Sequence, residues 1–245
     1  MKLSGANVLV TGASGGIGRA IALAFGERGC AVAVHYNTRQ QEAEFIAQAI
    51  REKGGQALAL QGDLTREADV EELFARMEAE LGSADVLVNN AGTAWQGLLT
   101  DMSLAQWRQV LDADLTSVFL CCRRALPHMI RQKGGCVINI SSMWGQQGAS
   151  CEAAYSAAKA GVIGLTKALA QEEGPSGVRV NCIAPGVIDT PMNRRLTPQD
   201  MAVLREETPL MRIGAPEDVA RAAVFLAENE FITGQTLGVN GGFVL

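Results

Sequence analysis

The chain has 245 residues, with 21 Lys and Arg against 26 Asp and Glu for a net charge of −5, and is 48% hydrophobic but only 19% charged. This composition excludes a disordered chain, the negative balance lacks the basic footprint of a nucleic-acid binder, and no stretch approaches the ~20 consecutive apolar residues of a membrane span. The six cysteines (Cys30, Cys121, Cys122, Cys136, Cys151 and Cys182) make no CxxC pair, and His35 and His128 are the only imidazoles. No metal site is therefore expected, and the thiols read as buried and reduced.

An apolar strand pattern begins at Val8, leaving no room for a signal peptide, so the expected location is the cytoplasm. The strand at 8–10 runs into Thr11-Gly12-Ala13-Ser14-Gly15-Gly16-Ile17-Gly18 and then a helical stretch at 19–28. Glycines let a backbone turn tightly and approach a pyrophosphate, whose charge the free N–H groups of the next helix favour. The spacing is GxxxGxG rather than GxGxxG, and a glycine-rich turn can also be a plain connection. A second strand, 31–34, leads to Asn37-Thr38-Arg39 and a helix at 41–53 whose Ala43, Ile46, Ala49 and Ile50 share one face.

A third strand, 57–60, is followed by Gly62-Asp63-Leu64, and a fourth, 86–88, by Asn89-Asn90-Ala91-Gly92. Asp and Asn at strand ends also make turns and helix caps, but three such loops after successive strands suit one ligand. Strands at 137–140, 178–183 and 236–239 complete the series. Most are apolar throughout, as when both faces of a parallel sheet are covered. The pattern predicts an α/β fold, a doubly wound parallel sheet with helices on both faces, as a single domain over 1–245 whose ligands bind beyond the carboxyl ends of the strands. The 27 glycines, about ten more than the usual ~7% implies, gather in those loops.

Between the fifth and sixth strands, Tyr155 and Lys159 stand at i and i+4 on one helix face. A free phenol has a pKa near 10, and a cation one turn away stabilises its phenolate. Ser142, just past the fifth strand, can hydrogen-bond a substrate carbonyl and the alkoxide it becomes.

These residues, with Gly16-Ile17-Gly18, Pro185-Gly186, Thr190, Thr233-Gly234-Gln235 and Gly241-Gly242, resemble the short-chain dehydrogenase/reductase family over essentially the whole chain. The resemblance implies a seven-stranded Rossmann sheet and hydride transfer between a nicotinamide cofactor and a carbonyl or alcohol carbon. It implies that Tyr155 is the acid/base, that Lys159 lowers its pKa and holds the nicotinamide ribose, and that Ser142 orients the carbonyl. It also implies cofactor contacts from Gly12, Ser14, Gly15, Gly16, Ile17 and Gly18, from Asp63 and Leu64 beside the adenine, from Asn90, Ala91 and Gly92 at the inner ribose, and from Pro185, Gly186, Ile188 and Thr190 toward the carboxamide. Asp114 departs from the pattern: the family has an asparagine there, thought to anchor a water that relays protons to the lysine.

With no carboxylate after the second strand until Glu42, Asn37, Thr38 and Arg39 predict NADP over NAD, although Gly15 stands where many NADP-dependent relatives carry an arginine. Within the family the chain is most similar to bacterial 3-oxoacyl-[acyl-carrier-protein] reductases. That predicts a small-molecule or carrier-bound ketone as substrate, with Arg131 and Lys133 as candidate carrier contacts, whereas Gln171 and Ser176 replace residues often basic in those enzymes. Trp144 and Glu152 are predicted to line the substrate pocket. Their segment resembles reductases of the 5-aminopentanone modification of elongation factor P, which would make the substrate an amine-bearing ketone. Residues 190–214 are expected to form a substrate lid. The small face of Ala153, Ala154, Ala157, Ala158 and Gly161 is where relatives pair into homotetramers. The alternative of another class is a dinucleotide-binding sensor without catalysis.

Overall fold

The computed structural model describes residues 1–193 and 196–244; Arg194 and Arg195, inside the expected lid, and Leu245 lie outside the described residues. Seven parallel strands form one sheet in the order β3-β2-β1-β4-β5-β6-β7, with β1 at Asn7–Val10, β2 at Ala31–Tyr36, β3 at Gln56–Gln61, β4 at Val86–Asn89, β5 at Gly135–Ile140, β6 at Val178–Pro185 and β7 at Thr236–Val239. Every expected strand is present, most extended by a residue or two. The order reverses between β1 and β4, so the chain leaves these neighbouring strands for helices on opposite faces of the sheet, which opens a crevice at their carboxyl ends.

Alternation along the central strands divides the core into two layers. Val8 and Val10 of β1 and Val86 and Val88 of β4 pack with α1 (Gly16–Glu27), α2 (Gln40–Glu52) and α9 (Pro216–Glu228). Leu9 and Leu87 face the other way, onto α3 (Glu67–Glu80), α5 (Ser117–Arg131) and α7 (Ala153–Glu173). A parallel strand buried on both faces must be apolar at every position, which is why these strands read as unbroken apolar runs. On α2 the buried face is Ala43, Ile46, Ala47 and Ile50. Ala49, expected on that face, is only half-buried because the buried stripe runs i, i+3, i+4, i+7 from Ala43, which takes in Ala47 and leaves Ala49 at its margin.

Helix α4 (Leu104–Leu111) is joined to α5 by a π-helical turn, Asp112–Thr116, in place of a clean break. The extra residue in that turn re-aims the side chains it carries, and such bulges occur often at functional sites. The expected lid contains α8 (Pro198–Glu207), begun by a Thr197 and Asp200 capping box. Of the cysteines, five are buried, but Cys151 is partly exposed on a backbone with φ +63°, a correction to the expectation for all six. The small face of α7 is divided: Ala154 and Ala158 are packed inside the subunit, Ala157 is exposed, and bare Gly161 makes room for Leu115. Among the described residues no helix is long and apolar enough to cross a membrane.

Candidate active site

A cleft of about 1200 Å³ lies at the carboxyl ends of the strands. One end is built by the loop after β1. Gly12 has φ +61°, and a Cβ there would come within 2.8 Å of the Ala91 Cα, so the loops after β1 and β4 touch backbone to backbone. Two polar groups hold them in register. The Thr11 hydroxyl oxygen accepts the N–H groups of Asn90 and Ala91, and the Asn90 amide donates back to the carbonyls of Thr11 and Gly12. His35 joins the two neighbouring loops: its Nδ1 accepts the Gly12 N–H at 3.0 Å and its Nε2 donates to the Gly62 carbonyl. Burial pushes the His35 pKa down to about 4, so the ring is neutral and can play both parts.

Helix α1 starts at the cleft with no side chain capping it and no acidic residue in its first turn, so its N-terminal N–H groups and dipole face an anion unopposed. With Gly12, Ser14, Gly15, Gly16 and Ile17 lining the same wall, this end fits the pyrophosphate of a dinucleotide. Asn37, Thr38 and Arg39 line the cleft beyond it, at the end of β2.

The other end carries the titratable groups. Ser142 begins α6 (Met143–Gln147), and its Oγ accepts the Trp144 N–H at 3.1 Å, which leaves its own O–H free to donate. Tyr155 lines the same end of the cleft as that hydroxyl, which helps to lower its pKa. Lys159, one turn along α7, places Nζ 5.6 Å from the Tyr155 ring centre and donates to the Ile140 carbonyl at 3.1 Å. Helix α7 is fixed to β5 here because the Ser141 hydroxyl donates to the Lys159 carbonyl. From the π-helical turn, Asp114 brings Oδ1 to 3.0 Å from the Lys159 ammonium while Oδ2 accepts the Thr93 N–H at 3.0 Å. Both are buried, with relative exposures of 4% for Lys159 and 0% for Asp114.

Asp114 holds Lys159 cationic, above the usual lysine range. Lys159 lowers the Tyr155 pKa, as its i, i+4 placement predicts, but the net shift is upward. Burial and the carboxylates of Asp114 and Glu152 raise its pKa, and the pull of Lys159 and Ser142 only partly offsets them. Burial is the larger cause, and Asp114 adds to it by offsetting part of the lysine's charge.

The cleft brings together nearly all the residues singled out in the sequence. Asp63 and Leu64 line the cleft, as do Asn90, Ala91 and Gly92; so do Pro185, Gly186, Ile188 and Thr190, and, opposite them, Trp144 and Glu152. Gly18 does not line it. It is buried behind the loop, where a Cβ would lie 2.5 Å from both the Asn90 amide and the Gly12 carbonyl, so its bareness serves packing rather than contact. The Asp63 carboxylate is engaged by the N–H and hydroxyl of Thr65, the turn-making role that had stayed open. Arg131 and Lys133 sit where α5 feeds β5, at the edge of the sheet opposite the cleft, so within this subunit they do not stand at its mouth. Sequence reasoning missed the roles of His35 and Thr93, which act through backbone contacts with distant parts of the chain, for which local spacing carries no signal.

A family model described as enoyl-(acyl carrier protein) reductase matches residues 12–244. The chain is 42% identical over 241 residues to the 3-oxoacyl-[acyl-carrier-protein] reductase FabG of Staphylococcus epidermidis, covering 98% of this chain and 99% of that protein. It is 43% identical over 240 residues to a 3-oxoacyl-[acyl-carrier-protein] reductase of Synechocystis sp., covering 97% and 96% of the two chains. Against the uncharacterized oxidoreductase YmfI of Bacillus subtilis it is 39% identical over 238 residues, covering 96% and 97%. Among solved structures, a protein of Agrobacterium tumefaciens provisionally assigned as a gluconate dehydrogenase superposes with a TM-score of 0.95 at 34% identity, covering 100% of this chain and 98% of that one.

Proposed function

The chain belongs to the short-chain dehydrogenase/reductase family and is an NAD(P)-dependent oxidoreductase, and from that premise we propose that it reduces a ketone with NADPH, the substrate being a 3-oxoacyl group carried on an acyl carrier protein. The observation that carries the reading is the meeting of Ser142, Tyr155 and Lys159 in the same cleft that the glycine loop and the bare start of α1 open. When bound, the nicotinamide supplies the hydride. The Ser142 O–H, its acceptor side occupied by Trp144, donates to the substrate carbonyl oxygen, and Tyr155 passes its proton to that oxygen as negative charge develops. Lys159, fixed by the Ile140 carbonyl and Asp114, holds a positive charge beneath the tyrosine and toward the ribose. The acyl chain lies along Trp144, whose ring is braced edge-on by Phe243 at 5.7 Å.

The preference for NADPH rests on Arg39. Its guanidinium reaches to 3.1 Å from where a Gly15 side chain would begin, so the glycine that replaces the arginine of many relatives leaves the space that Arg39 fills. Among the described residues it has no carboxylate partner, leaving its charge for a 2′-phosphate. Initial rates on a 3-oxoacyl thioester should favour NADPH over NADH by at least about tenfold, and Arg39→Ala should remove most of that preference. An equal or reversed preference in the wild type overturns the cofactor assignment, and no turnover of any ketone returns the non-catalytic sensor. The reading includes one catalytic domain over 1–245, a cytoplasmic location and a homotetramer.

A second reading has its own observation. Glu152 lines the substrate end of the cleft half-buried, caps nothing at the start of α7, and has its pKa pushed up by burial alone. A carboxylate desolvated without a counter-charge suits a cation on the substrate, as in the 5-aminopentanone modification of elongation factor P. Glu152→Gln should raise KM for an aminoketone by about tenfold and leave KM for a neutral ketone unchanged. Equal effects on both substrates sink this reading.

A further inference from the structure

Asp114 has two carboxylate oxygens, of which one accepts a hydrogen bond and the other, buried without a hydrogen-bond donor of its own, lies at ion-pair distance from a cation. Oδ2 takes the Thr93 N–H and Oδ1 faces the Lys159 ammonium, each at 3.0 Å. An asparagine has only one acceptor and would turn an NH2 toward one of these two groups, so it cannot serve both. Bare Gly92 leaves room for the side chain at 114, since a Cβ there would collide with Asp114 Oδ1. The π-helical turn carries Asp114 into a place with no exposure to water, so nothing screens its charge from the lysine.

We infer that Asp114 is a positioning residue that occupies the Lys159 ammonium, so that Tyr155 faces a neutral ion pair instead of a bare cation and the site keeps its acid, and with it ketone reduction, far into the alkaline range. The groups that bear on Tyr155 are Lys159 from its own helix, Asp114 from the π-helical turn, Glu152 from the start of α7 and the Ser142 hydroxyl from α6. Of the charged ones, only Lys159 favours the phenolate, and Asp114, 3.0 Å from the ammonium, offsets part of its pull. Reduction consumes the phenol proton and oxidation needs the phenolate, so a more basic tyrosine widens the pH window of reduction and narrows that of alcohol oxidation.

The inference rests on the proposed ketone reduction, and its test separates the two. Asp114→Asn releases Lys159 toward Tyr155. The pH at which kcat/KM for reduction falls on the alkaline side should then drop by about one unit or more. Between pH 7 and the alkaline limb, the activity ratio of variant to wild type should fall by about tenfold, while the rate of alcohol oxidation near pH 8 rises. An unchanged or upward-shifted limb in an active variant overturns the inference. A second measurement needs neither turnover nor the variant. The chain has two tyrosines, Tyr36 and Tyr155, so the ultraviolet phenolate signal lost in Tyr155→Phe belongs to Tyr155. In the wild type that signal should emerge only above about pH 10; its appearance below about pH 8 overturns the inference even if no ketone is ever reduced.

Discussion

Tyr155→Phe is expected to lower kcat for ketone reduction by about 10³-fold while leaving the dissociation constant of the dinucleotide within a few-fold of wild type. The change removes one oxygen and keeps the ring. The ring sits beside Lys159 on a helix held to β5 through Ser141, so the cleft should keep its shape. The glycine loop and the start of α1 lie at the other end of the cleft and do not touch the phenol. A loss confined to kcat, with cofactor fluorescence titrations unchanged, is the signature of a missing proton donor. A parallel loss of cofactor affinity would instead mean that Tyr155 supports the binding site, and retention of more than about a tenth of the activity would remove it from the chemistry.

Lys159→Met is expected to cost about 3–5 kcal/mol of folding stability in addition to activity. The substitution keeps the aliphatic stem but leaves a fully buried carboxylate at Asp114 with only the Thr93 N–H. The sign of its pH dependence follows. Burial already raises the Asp114 pKa against the pull of Lys159 and the Thr93 N–H; without the lysine it rises further, so the variant is least impaired at low pH, where the carboxyl is protonated in both states. It loses stability as pH rises through the raised pKa. Urea unfolding across that range measures the loss. In Asp114→Asn/Lys159→Met no charge is left in the core, and most of the lost stability should return. If the double variant is as unstable as the single one, the cost is packing and the ion pair is not its source.

Together the two variants separate the roles of neighbouring residues: one removes the proton, the other the charge that stands behind it. The Asp114 pair explains why the wild-type chain tolerates a buried lysine here at all. An ammonium with 4% exposure needs more than the Ile140 carbonyl, and the carboxylate supplies it.

Much of the molecule was legible in the order of its residues. Strand positions followed from unbroken apolar runs, because strands covered on both faces can hold nothing else, and the loops of the cleft followed from glycines and polar residues at strand ends. Tyr155 and Lys159 could be paired because one helical turn brings i and i+4 together whatever surrounds the helix. The errors fell where that local geometry ends. Gly18 shares its spacing with Gly12 and Gly16, but only the returning Asn90 side chain shows that it faces the interior. That Arg39 lies across the space left by Gly15 is likewise visible only in the fold.

The sequence by itself determined which elements form, in what order, and which residues stand at the carboxyl ends of the strands, since each depends on a period of two or 3.6 residues or on the backbone of a single turn. The tertiary structure alone decided the charge state of the site. Whether Tyr155 feels a cation depends on Asp114, which the crossover between β4 and β5 and one π-helical turn bring to Lys159 from a distant part of the chain. Electrostatic energy depends on separation in space and on exclusion of water, and neither quantity is written in the spacing of residues along the chain.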